Sequence, residues 1–91
     1  TMESSLAALE DVLTVLRTIP DWTAEAIHGA LFGLAEAQKV KNSVILWPVR
    51  VAVSGKATTP GGGVELCTIL GQEETLRRIE SGIEKLRTYV E

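Results

Sequence analysis

Leu6, Leu9, Leu13 and Leu16 fall at alternating spacings of three and four, with Val12 and Ile19 beside them. That spacing predicts one buried stripe on an amphipathic helix over residues 4–18. Pro20 ends it, because the residue before a proline is pushed out of the helical region. At Asp21-Trp22-Thr23 the pattern restarts. Thr23 is placed to cap the next helix, and Trp22 to staple onto Ile27. This second helix would run to about Lys39 and bury Ile27, Leu31 and Leu34, with Ala30 and Ala35 beside them. Gly29 and Gly33 either weaken it or admit a neighbouring helix closely.

Residues 44–53 carry conflicting signals. Val44, Ile45, Val49, Val51 and Val53 favour strand, and Val49-Arg50-Val51 alternates. Pro48 opposes both a central strand and an unbroken helix. Propensity alone predicts two short strands here. Lys56 to Gly63 is a loop. Val64 to Leu70 reads as a short helix with Gly71 just past its end. The last helix, about Gln72 to Val90, places Leu76, Ile79, Ile83, Leu86 and Val90 on one face. Its first turns pair Glu73 with Arg77 and Glu74 with Arg78 at i,i+4.

The chain has 91 residues, room for one domain with a modest core. The longest apolar run, Val44 to Val49, is far short of a membrane span. No basic-then-apolar leader opens the chain, and the one cysteine, Cys67, cannot form an internal disulfide. With a single histidine, His28, it cannot build a usual structural zinc site either. The expectation is a small domain of the cytoplasm.

Net charge is −3, but the charge is unevenly placed. Residues 1–36 carry six acids against one base, Arg17. Residues 37–64 carry four bases (Lys39, Lys41, Arg50, Lys56) and no acid. That window is either ordinary solvation or a basic face on an acidic domain.

Enzymatic motifs fail on inspection. A phosphate loop ending at Gly55-Lys56 would need glycine where Arg50 stands and a hydroxyl residue where Ala57 stands. A dinucleotide fingerprint from Gly61 would need glycine at Leu66. Cys67 among Val64, Leu66, Ile69 and Leu70 reads as a small core residue, and His28 as a polar rim residue.

Five blocks, in order and at matching spacing, carry a resemblance. They are Trp22-Thr23-Ala24-Glu25-Ala26-Ile27; Pro48-Val49-Arg50-Val51-Ala52-Val53-Ser54-Gly55; Thr59-Pro60-Gly61; Glu65-Leu66 with Leu70-Gly71; and Thr75-Leu76-Arg77-Arg78-Ile79. From Trp22 onward the chain resembles the C-terminal anticodon-binding domain of bacterial glutamyl-tRNA synthetase. In that family the middle block reads approximately P-L-R-V-A-L-T-G, then a T/S-P-G loop and L-G-x-E-x-x-L-x-R. Trp47 departs from the family's more usual glutamine, and Gly61-Gly62-Gly63 is richer in glycine than some members.

The resemblance implies an all-α fold, a small bundle of about five helices of the class I aminoacyl-tRNA synthetase anticodon-binding type. It therefore turns Val44 to Ser54 into a helix that accommodates Pro48, against local propensity. It implies one helical domain over residues 1–91, with the catalytic domain and its HIGH and KMSKS motifs outside it. No cofactor is then expected here; ATP would bind that other domain, and these residues would not activate glutamate. The implied partner is the anticodon loop of glutamate tRNA, bound by a monomer.

On this resemblance residues 39–65 form one RNA-facing surface centred on Arg50 and the loop of Thr59, Pro60, Gly61, Gly62 and Gly63. Arg50 offers rigid donors to base edges or phosphates, unless an internal carboxylate occupies it. The loop brings bare backbone to a base, and Val64 begins a helix whose free N–H groups point the same way. Glu65 either stabilises that helix start or accepts from a cytosine amino group. Lys41 and Lys56 would position the phosphate backbone. A reading of another class is a helical protein-interaction module without RNA, using the Leu6-Leu9-Leu13-Leu16 stripe.

Overall fold

A computed structural model of the chain describes residues 2–54 and 62–90, which form five helices and, among the described residues, no strand. They are α1 (Met2–Arg17), α2 (Ala24–Ala37), α3 (Asn42–Ser54), α4 (Gly63–Leu70) and α5 (Gln72–Val90). Element bounds follow the sequence reading closely, and the all-α expectation holds. The two strands that propensity favoured are instead one helix, α3. It touches all four of the others and so forms the centre of the bundle.

Why α3 is helical is a question of magnitude. Pro48 sits in its interior and cannot donate to the Val44 carbonyl, a loss of about 3 kcal/mol. Against that, Ile45, Val49 and Val53 recur every fourth residue and are removed from water almost completely. Each such burial contributes about 1.5–3 kcal/mol, and only a helix puts all three on one side. Burial wins over propensity. These side chains join Leu9, Val12 and Leu16 of α1, Ile27, Leu31 and Ala35 of α2, Cys67 of α4, and Ile79 and Ile83 of α5. The leucine stripe of α1 is spent on this core: Leu9 and Leu16 are buried, and Leu6 and Leu13 pack partly against them.

Polar groups fix how the helices meet. Thr23 caps α2 as expected, its hydroxyl accepting from the Ala26 N–H at 3.1 Å. Trp22, next to it, donates its indole N–H to the Cys67 carbonyl at 2.9 Å. That carbonyl also accepts from the Gly71 N–H and, at 3.3 Å, from the buried Thr75 hydroxyl. Gln72 at the start of α5 donates to the carbonyls of Leu16 and Ile19, supplying partners where α1 ends. Between α4 and α5, Gly71 has φ 86° and ψ 163°, a region essentially closed to side-chain-bearing residues. At Gly82, α5 runs so close to α3 that a Cβ would lie 3.2 Å from the Ala52 Cβ.

Helix α2 stops at Ala37, two residues before the expected Lys39. Lys39 instead takes φ 57° just past the cap. Its N–H bonds to the Glu36 carbonyl at 3.1 Å, and the Val40 N–H bonds to Ala35 at 3.0 Å. This is the doubly bonded helix ending usually built on glycine, here on a lysine. Lys39→Gly should therefore stabilise the fold by about 1 kcal/mol, and Gly71→Ala should cost about 1–3 kcal/mol. Urea midpoints of the two variants, moving in opposite directions, check both.

Candidate nucleic-acid interface

The second half of α3 and the start of α4 come together at Arg50. A Cβ on Gly63 would lie 3.7 Å from both the Cα and the backbone nitrogen of Arg50. Arg50 is half-buried, and its Nε is shielded from solvent with no hydrogen-bond partner. No carboxylate pairs with it among the described residues. The internal ion pair that would have withdrawn it from a site is not formed among the described residues. A charged donor left in this state costs about 1–3 kcal/mol, so it calls for an external acceptor.

Helix α4 begins without a side-chain cap. Gly62 occupies the cap position in extended geometry, with φ −76° and ψ 167°. Gly62 has no side chain to cap the first-turn N–H groups, and Glu65 stands exposed in that turn. One cation, one carboxylate and uncapped donors suit the edge of a neutral base better than a phosphate, which Glu65 would repel. Val64 faces inward and packs on the core.

The remaining candidates are scattered. Lys41 is exposed just before α3, about 14 Å of helix rise from Arg50. It lies at the opposite end of the helix and does not join the Arg50 cluster. Lys56, Thr59, Pro60 and Gly61 fall outside the described residues. Cys67 and His28 behave as the sequence indicated. Burial pushes the Cys67 thiol up to about 11, far from a reactive thiolate, and His28 sits on the rim with its ring centroid 3.8 Å from that of Phe32. Among the described residues no cluster of His, Cys, Asp or Glu could hold a metal, and no helix is long and apolar enough to cross a membrane.

Sequence reasoning missed a second feature. On the flank of α3 away from α4 lies a groove of about 720 Å³ between α1, α3 and α5. Trp47, Pro48 and Val51 form one side of it, and Arg77, Arg78, Ser81 and Lys85 the other. Trp47 is 51% exposed, an unusual position for the largest side chain. The Arg77-Ser81-Lys85 spacing of four was visible in the sequence, but not the helix it would face. Arg78 also donates to the Val53 carbonyl and so ties the end of α3 to α5.

A family model described as an anticodon binding domain matches residues 1–83. Glutamate–tRNA ligase of Clostridium tetani is 50% identical over 88 residues, covering 97% of this chain. The ligase of Clostridium novyi is 48% identical over 88 residues, again 97% of the chain. That of Clostridium botulinum is 52% identical over 87 residues, 96% of the chain. The chain spans about 18% of the length of these curated relatives.

At the head of α5, Arg77 turns to Glu74 instead of the expected Glu73, and Arg78 pairs with the same carboxylate. Hydrogen bonds from Arg77, then from Arg78, hold the Glu74 carboxyl down at about 2. Its folded value lies below the unfolded one. The stabilisation is therefore complete above the ordinary value of 4.5 and disappears as pH falls through about 2. Glu74→Gln should flatten the loss of stability between those two pH values, read from urea midpoints along an acid series.

Proposed function

The chain belongs to the anticodon-binding domain family, and from that premise we propose that it recognises the anticodon loop of glutamate tRNA as part of a glutamate–tRNA ligase. In this reading activation of glutamate with ATP takes place elsewhere in that ligase, and these residues supply recognition alone. The domain acts as a monomer in the cytoplasm.

One observation carries the assignment to this surface: Arg50, without a carboxylate partner among the described residues and with a shielded Nε lacking an acceptor, lies against the start of α4, where Gly62 supplies no side-chain cap. Splayed bases of a single-stranded RNA loop expose the edges that such donors bind. Arg50 addresses a base carbonyl, the N–H groups after Gly62 and Gly63 approach the same base, and Glu65 accepts from an exocyclic amino group. Thr59, Pro60 and Gly61, between α3 and α4 in the chain, border this base. Lys41 and Lys56 hold phosphates and add affinity without sequence preference.

The test is titration of the chain with glutamate tRNA and with transcripts altered at single anticodon positions. Arg50→Ala should cost about 1–3 kcal/mol and relax discrimination at one base. Lys56→Ala should weaken all transcripts equally and reduce the salt slope by about one. If Arg50→Ala also weakens every transcript equally, Arg50 is a phosphate clamp and the base-reading role fails.

A further inference from the structure

We propose that the groove between α3 and α5 is a second RNA subsite, in which Trp47 stacks an unpaired base while Lys85 and Arg77 hold its phosphates. The inference rests on the anticodon-binding reading and extends it to residues that lie away from the Arg50 cluster.

The register of α3 carries the argument. At 100° per residue, burying Ile45, Val49 and Val53 points Trp47 nearly opposite the core. Arg50 then lies on the flank facing α4, while Pro48 and Ala52 lie on the flank facing α1 and α5. Trp47 is one turn from Arg50 and one turn from Val51, so it stands on the ridge between the base-reading flank and the groove. A strand leaving Arg50 towards α5 must cross the indole. Every base has a face that stacks on an aromatic ring, so this contact needs no particular sequence.

Charge decides what the groove accepts. Arg77, Ser81 and Lys85 form one row along α5, rising about 6 Å per step. Glu74 neutralises one of the two arginines, which leaves two positive charges on this wall, and Lys85 has no carboxylate partner among the described residues. The adjoining hollow shares Arg77 and Ser81 but adds three acids, Glu10, Glu80 and Glu84, against one further base, Arg87, which pairs with Glu10. The Trp47 side, whose lining holds no acid, therefore suits an anionic strand better than its neighbour. The apolar floor of Pro48, Val51 and Leu86 suits the base, and the cationic wall suits the backbone.

Glutamate tRNA titrated into the chain, with affinity and salt dependence measured, tests the proposal. Trp47→Leu keeps apolar bulk but removes the ring, and should weaken binding about 5- to 150-fold. Trp47→Phe should restore most of that loss. Lys85→Gln should lower the log–log salt slope by about 0.7, the single-strand value for one phosphate. Bound tRNA should quench the emission component that Trp47→Phe removes. If Arg50→Ala weakens binding while Trp47→Leu and Lys85→Gln bind like the parent, the subsite is wrong and the Arg50 reading stands. If the chain and all variants fail to bind tRNA at any salt, the anticodon reading fails and the subsite with it. If poly-glutamate quenches Trp47 and tRNA does not, the groove docks acidic protein segments and the proposal is overturned.

Discussion

Removal of one face of α3 from water is the constraint on which the other features depend. Ile45, Val49 and Val53 reach the centre of the bundle only if residues with β preference, and a proline, adopt helical backbone. The same register decides what remains outside. It sends Arg50 towards α4, Trp47 away from the core, and Ala52 against Gly82. A slip of one residue towards the C-terminus would bury Leu46, Arg50 and Ser54 in place of the present stripe. Core packing and the exposed face that carries Arg50 and Trp47 are thus two sides of one rotational setting.

The excess of acid in the chain is sorted in space. Arg17 and Arg87 are engaged by Glu80 and Glu10, joining α1 to α5 through exposed pairs, each worth about 1 kcal/mol or less. Their main effect is on the distribution of charge. Acidic residues are held with bases of the two terminal helices, while Arg50 and Lys85 are left without a carboxylate partner among the described residues. A net charge of −3 therefore says little about the charge of any one face.

Most of the fold was legible in the sequence because the periodicity of α1, α2 and α5 is strong and their ends are marked by Pro20, Thr23 and Gly71. Only α3 misled. Its alternation at Val49, Val51 and Val53 coexists with a spacing of four at Ile45, Val49 and Val53, and propensity weighs the first where burial selects the second. The site was less legible. Arg50 stood out by its motif, but its lack of a carboxylate partner among the described residues is a property of packing. Trp47 and Lys85 are separated by almost forty residues, and their groove exists only once α3 and α5 are packed. Lys39 gave no sign of its left-handed backbone, since lysine is not a residue from which such an ending is inferred.

The carbonyl of Cys67 gathers donors from Trp22, Gly71 and Thr75, and the thiol of the same residue is sealed beneath them. As the one sulfhydryl in the chain, it is chemically silent while these contacts hold. Alkylation must wait for the joint between α4 and α5 to open, so its rate reports how often, or for what fraction of the time, that joint is open. Because α4 also begins against Arg50, a ligand gripping its first turn would slow the reaction from the far end of the helix. The buried sulfur is a built-in reporter of the motion of α4.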